Sequence, residues 1–311
     1  MDKVKGIQNG YKGIDVDIIS YTKHPGKIIW DMLKQTWNSL HNVDYDIRNE
    51  TVNQFIQDVL DRKLNPVPLE AILIQVVFKG ISRVNLAQLT RHRGWFYNSE
   101  SQMPQPVNHN VIIPLNIVNS EYYDRAVKLI KESQALYNDM VKGNDKKETT
   151  NIPYQDARYL LIHGQTADIS ASFSLPQFLN ACGMRFENNT HDEINYTFRI
   201  CRKKLYDTVM SDNELDPLDK KIYKTLLDRC DVFGANNKVG TCFDAMFGNS
   251  MKRFPDANPG VTKVTEKALF NYKKLAWYAE LIRMYYEEAD LLLPGEKEMI
   301  ESWISEDNTN E

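Results

Sequence analysis

The sequence predicts an α+β fold, a sheet with flanking helices followed by a helical C-terminal extension. Three observations predict it. Short segments alternate apolar and polar residues with period two, and longer ones repeat apolar residues at helical spacing. The composition of the 311 residues is that of a folded globular chain, with 42% hydrophobic, 26% charged and 11% aromatic.

Ile14-Asp15-Val16-Asp17-Ile18 alternates and predicts a half-buried strand. His24-Pro25-Gly26 turns the chain, and Lys27 to Leu40 then carries Ile28, Ile29, Met32, Leu33 and Trp37 on one helical face. Val52 to Leu60 predicts a shorter helix, stopped by Asn65-Pro66-Val67-Pro68 because proline cannot continue the hydrogen-bond ladder. Ala71 to Phe78 is a run of adjacent apolar residues, which predicts a strand covered on both faces. Ser82 is placed to cap a helix running through Arg91. A loop with Pro104 and Pro106 leads to a strand at Val111-Ile112-Ile113. Ser120 to Val141 predicts a long amphipathic helix with a polar exit at 142–148. Tyr154 to Ile162 predicts a helix that His163-Gly164 would close, Ala167 to Ser174 an alternating strand, and Thr190 to Met210 another helix. Beyond Ser211 the pattern predicts loops around 233–237 and 255–260 and a helix from Thr265 to Ala289. The expected organisation is a core over residues 1–210, with 211–311 an insertion and helical extension packed on the same domain.

Thirty-eight Lys and Arg against 42 Asp and Glu give a net charge of −4, which excludes binding of duplex nucleic acid by bulk charge. No apolar run reaches the roughly 18 residues of a membrane span. Met1-Asp2-Lys3-Val4-Lys5 lacks the apolar core of a signal peptide, so a cytoplasmic location is expected. Cys182, Cys201, Cys230 and Cys242 form no Cys-x-x-Cys pair and the six histidines are scattered, which predicts reduced, buried thiols and no metal site.

The chemistry is concentrated in Gln88-Leu89-Thr90-Arg91-His92-Arg93, continuing to Asn98 and Ser101. Gln88 and Arg91 lie one turn apart on a helix. Guanidinium groups where that helix ends can grip phosphate or carboxylate bidentately. A solvated cationic cluster favoured by the helix dipole explains the same residues equally well. In Trp95-Phe96-Tyr97, core packing is favoured over stacking on a ligand. Arg202-Lys203-Lys204 is expected to be a solvated helix face, and Lys252-Arg253 is a weakly favoured candidate for a phosphate contact.

Arg91-His92-Arg93, seven residues and then Ser101 resembles the signature of the flavin-dependent thymidylate synthases. Upstream, Phe78-x-Gly80-Ile81-Ser82-Arg83 and Gln88 are similar to that family's strand-to-helix passage, and Pro68-Leu69-Glu70 to its Ser-Pro-Phe-Glu-His segment. Downstream, Ala157-Arg158, Asn180, Arg185 and Glu193-Ile194 fall in register. The resemblance covers roughly residues 14 to 200. It implies the thymidylate synthase-complementing type of fold, with a mostly antiparallel sheet. It also implies reductive methylation of C5 of dUMP to dTMP, with FAD as cofactor and NADPH and methylenetetrahydrofolate as co-substrates. The implied assembly is a homotetramer with sites between subunits, in a cytosolic or phage-infected bacterial setting.

Carried over by position, the resemblance assigns Glu70, Arg91, His92, Arg93, Asn98 and Asn180 to the flavin or the shape of its pocket. Gln88, Arg91, Ser101, Arg158 and Arg185 would hold a pyrimidine nucleotide, with Arg185 at the base; Arg185 and Ser101 are the catalytic pair it implies. A cation at the ring carbonyl would stabilise the developing enolate charge. No cysteine nucleophile is required, and Cys182 is expected to be structural.

Several positions depart from the pattern. Met103 stands where the signature ends in arginine, Ser174-Leu175-Pro176 where the family has Asn-x-Arg, and Ala71 where it has histidine. Phe96 and Ser99 replace the inner serine and one of its polar neighbours, and Thr190-His191-Asp192 replaces the usual residues before Glu193. Two other readings therefore stay open. One is C5 methylation or hydroxymethylation of a different pyrimidine nucleotide, and the other is a non-catalytic homologue that binds nucleotide or flavin. Arg91, Arg158 and Arg185 count against the second.

Overall fold

The structure, a computed structural model, describes residues 6–37, 48–61, 63–100, 110–142, 152–186, 190–228 and 291–294. Its strands are β1 (Ile7–Asn9), β2 (Asp15–Tyr21), β3 (Leu73–Ser82), β4 (Phe96–Ser99), β5 (Val111–Ile113) and β6 (Thr166–Ser174). Its helices are α1 (Pro25–Thr36), α2 (Arg48–Leu60), α3 (Arg83–Leu89), α4 (Leu115–Val118), α5 (Tyr123–Val141), α6 (Tyr154–Ala157), α7 (Leu175–Arg185), α8 (Asp192–Ser211) and α9 (Pro217–Leu227). The chain forms two compact units, one from residues 1–20, 75–173 and 192–197, the other from 21–74, 174–191 and 198–311.

The first unit is built on a four-stranded sheet of order β2-β3-β6-β4. β4 and β6 pair antiparallel, Phe96 opposite Ser172 and Asn98 opposite Ser170. β3 and β6 also run in opposite directions, since Gly80 N–H reaches the Asp168 carboxylate and Arg83 N–H the Gln165 carbonyl. The expected antiparallel sheet is thus present. A second, two-stranded sheet pairs β1 with β5 in parallel. Against it α5 buries Ile130 with Val111 and Ile113, while Tyr137 and Val141 close on Ala157.

Three expectations for this unit need correction. The β3 run is not covered on both faces: Ile74, Val76 and Phe78 are buried, but Leu73 is 58% exposed and Gln75 is open. An adjacent-apolar pattern does not distinguish one covered face from two. The helix expected over Tyr154 to Ile162 is only the single turn of α6 followed by a 3₁₀ turn at Arg158–Leu160. Gly164 does not cap it. A Cβ there would sit 2.7 Å from the Ile112 carbonyl, so glycine serves a close backbone approach.

The second unit is helical. Pro25 begins α1 rather than turning the chain before it, because proline is tolerated in a first helical turn. The same rule explains α7 and α9, which begin Leu175-Pro176 and Pro217 and are capped by the side chains of Ser174 and Asp216. The Asp219 carboxylate accepts from the Gly26 N–H at 2.8 Å and pairs with His24 Nδ1 at 3.2 Å, tying α9 to the start of α1. Arg202 is not a solvated residue: it is 2% exposed and its Nε donates to the Leu227 carbonyl at 2.7 Å. The Arg199 guanidinium, also buried, lies 4.7 Å over the Phe186 ring. The helix expected over Thr265 to Ala289, the loops at 233–237 and 255–260, and Lys252-Arg253 lie outside the described residues.

Candidate functional site

In the first unit the site is organised from the start of α3. Ser82 leaves β3 in extended conformation, and its hydroxyl accepts from the Asn85 N–H. The Glu193 carboxylate, 1% exposed, takes the Ser82 N–H at 2.7 Å and the Ser82 hydroxyl at 2.6 Å. Asn85 Nδ2 donates to Thr197 Oγ1, which in turn donates to the Glu193 carbonyl. A buried carboxylate holding two donors is a strong, directional clamp.

α3 ends at Leu89, two residues before the expected end, so Gln88 and Arg91 do not share a helical face. The chain tightens instead into short turns, with Arg91 N–H on the Gln88 carbonyl and His92 N–H on the Leu89 carbonyl. The Tyr97 hydroxyl bridges the Leu89 carbonyl at 2.7 Å and the His92 carbonyl at 3.2 Å, satisfying acceptors that the helix end leaves open. Gly94, with φ of +83°, takes the left-handed conformation that swings the chain into β4.

Side chains then sort by face. His92 is buried with its ring stacked 5.3 Å from Trp95, and Trp95 packs 4.1 Å from Phe173. Of the aromatic triplet, Trp95 is core, as favoured by its sequence setting, and Phe96 is open to solvent. Arg91, Arg93 and Asn98 are exposed, and Gln88 is half-buried. This unit therefore places Gln88 at the end of α3, Arg91, His92 and Arg93 on the turn that follows, and Asn98 on β4. Arg158 is exposed at the start of its 3₁₀ turn. Burial lowers the pKa of Arg83, Arg158 pushes it the same way and Glu100 opposes both, so these three charges feel one another.

In the second unit Glu70 lies half-buried on a 3₁₀ turn, Val67–Ala71, and accepts a hydrogen bond from the Ser174 hydroxyl. That serine also caps α7 through the Gln177 N–H at 3.4 Å. Asn180 and Arg185 are both on α7, and Arg185 is in its last turn, where the helix dipole favours a cation. Asn180 Oδ1 is buried and has no hydrogen-bond partner among the described residues. Such an acceptor is costly unless a ligand donates to it. Cys182 is fully buried and burial drives its pKa upward, which keeps it a thiol. Ser101 and Met103 lie outside the described residues.

The scaffolding roles of Glu193 and Tyr97 escape sequence reading. Ser82 is legible as a cap, but nothing local to it points to a carboxylate 111 residues away. Among the described residues no group of three or more His, Cys, Asp or Glu is placed to hold a metal. No described helix is long and apolar enough to cross a membrane.

Residues 17–209 match the thymidylate synthase complementing protein family. The flavin-dependent thymidylate synthase of Thermococcus onnurineus is 25% identical over 214 residues, 66% of this chain and 82% of that protein. The protein of the same name from Thermococcus kodakarensis is 26% identical over 230 residues, 71% of this chain and 88% of its own. Among solved structures, a UMP/dUMP methylase from Streptomyces cacaoi bound with 5-Br dUMP has a TM-score of 0.52 at 14% identity, covering 70% of this chain and 96% of that one. At that identity the likeness concerns the fold alone.

Proposed function

The chain belongs to the thymidylate synthase complementing protein family, and from that premise we propose that it is a flavin-dependent enzyme that methylates C5 of dUMP. FAD is its cofactor, with methylenetetrahydrofolate and NADPH as co-substrates. One observation carries the reading: the family match spans Arg91-His92-Arg93, and that run sits on an exposed turn fixed from beneath by buried hydrogen bonds.

The residues present fit a flavin dinucleotide. In the first unit the open Arg91 and Arg93 guanidiniums suit a diphosphate and Asn98 carries an exposed amide; in the second, the buried Asn180 oxygen is an acceptor without a hydrogen-bond partner among the described residues. Buried His92 suits the shaping of the pocket better than an open contact. When bound, the reduced flavin supplies one-carbon carriage and a hydride. The chain's own residues supply binding and charge. Arg185 stabilises negative charge developing at a base carbonyl, while Gln88, Arg91 and Arg158 with the Ser101 hydroxyl grip the sugar and phosphate. Glu70, whose carboxylate accepts from the Ser174 hydroxyl, would contact the flavin or shape its pocket. The assembly is a homotetramer, and residues 211–311 extend the core, a reading supported by the family match ending at 209.

A second reading keeps the chemistry and changes the nucleotide. It is favoured by Met103, which removes the guanidinium that closes the family signature. The purified protein should show a visible flavin band after FAD addition; its absence sinks both readings. Release of deuterium from C5-labelled dUMP, compared with UMP and dCMP, separates them. Arg185→Ala should lower turnover by roughly 10²-fold or more, and unchanged turnover would remove Arg185 from the site.

A further inference from the structure

Phe96 is the feature that neither the core nor the family signature accounts for. It is 79% exposed, although it stands in a regular strand of the four-stranded sheet. Strand alternation fixes its direction. Trp95 and Tyr97 point to the opposite face, where Phe173 and Ala171 are already packed, so the Phe96 ring has no place to turn inward. Its direct cross-strand neighbour is Ser172, and two residues on, Asn98 faces Ser170. Small hydroxyl side chains leave the face of the phenyl ring uncovered.

The surroundings define what would cover it. A ligand here must be flat, to lie on the phenyl ring, and must present donors and acceptors on its edge to the Asn98 amide. It must also carry negative charge for Arg91 and Arg93, the exposed guanidiniums at the head of the same turn. An isoalloxazine ring with its diphosphate tail meets all three demands. We propose that Phe96 is a stacking platform for the flavin ring. This rests on the flavin reading above. In the signature that the chain resembles the position is serine, which offers no ring to stack.

The test uses the full-length protein stripped of flavin and titrated with FAD, followed by quenching of flavin fluorescence and by the shape of the visible band. Phe96→Ser and Phe96→Leu should raise the FAD Kd roughly tenfold and lose the stacking-induced shift. Phe96→Trp should keep both, and the dUMP Kd should be the same in all four proteins. FAD binding and spectrum unchanged in Phe96→Ser and Phe96→Leu would overturn the proposal and leave the flavin reading intact. A loss confined to dUMP affinity would overturn it by assigning the ring to the nucleotide. Failure of the parent protein to bind FAD would bring down the flavin reading and this proposal together.

Discussion

The two units hold their carboxylates with different sets of partners. In the first, Glu193 is withdrawn from water and spends both oxygens on one serine, so the turn that follows α3 has a fixed origin. In the second, Glu70 holds the serine that starts α7, Asp212 pairs with the exposed Lys23, and Asp219, itself buried, divides its oxygens between the Gly26 N–H and the exposed His24 ring. The difference teaches where rigidity is concentrated. A cationic turn must be held against its own repulsion, and a buried clamp does this better than a solvated pair.

Glu193→Ala is the strongest test of the contrast. It leaves the Ser82 N–H and hydroxyl buried without their acceptor and should cost about 3 kcal/mol, read by urea denaturation. A cost below about 1 kcal/mol would mean that the clamp is incidental. Asp219→Ala removes the acceptor of the Gly26 N–H and should cost about 1–2 kcal/mol. The smaller figure follows from burial, which raises the Asp219 pKa and offsets part of its hydrogen bonding. An equal loss in the two variants would erase the distinction between the units.

Gly94→Ala forces a side chain into a left-handed conformation and should cost about 1 kcal/mol. FAD affinity should fall with it, since the turn carries Arg91 and Arg93. The smallest expected effect is in acid. The Lys23 ammonium, the Tyr21 hydroxyl and the Glu214 N–H hold the Asp212 carboxyl below its ordinary range. A depressed pKa stabilises the fold above the unfolded value, and that stability is lost as pH falls from about 4 downward. Asp212→Asn should therefore flatten the acid limb of a stability–pH curve. Asp219, with its raised pKa, acts with the opposite sign: it opposes folding at neutral pH and relents on acidification. An acid limb unchanged by Asp212→Asn would show that the pair is fully screened.

Much of this was legible in the sequence because the signals were local. The alternation of Ile14 to Ile18 and of Ala167 to Phe173, the Ser82 cap and the period of α5 and α8 each depend on neighbours in the chain. What escaped depended on distant residues or on a rule with two meanings. Pro176 and Pro217 could equally break a helix or begin one, and they begin α7 and α9. Arg202 has the spacing of a surface residue and was betrayed by its neighbours Lys203 and Lys204, yet its guanidinium is claimed by a carbonyl 25 residues on. Of the candidate site, the residues of the cationic turn were legible, but not the Glu193 clamp beneath it or the opposite facing of Trp95 and Phe96.

The parallel pairing of β1 with β5 sets a timetable for the growing chain. Ile7 must wait for Val111, 104 positions later, before its strand has a partner. At about 5–20 residues per second of synthesis, the N-terminal segment leaves the ribosome and spends roughly 5–20 seconds unmatched. The antiparallel partners β4 and β6 are also far apart in sequence, but both emerge after β3, onto which β6 can dock. β1 thus waits for its partner over a longer stretch of chain than any other described strand, and a chaperone that shields Ile7 to Asn9 would find its client during that interval.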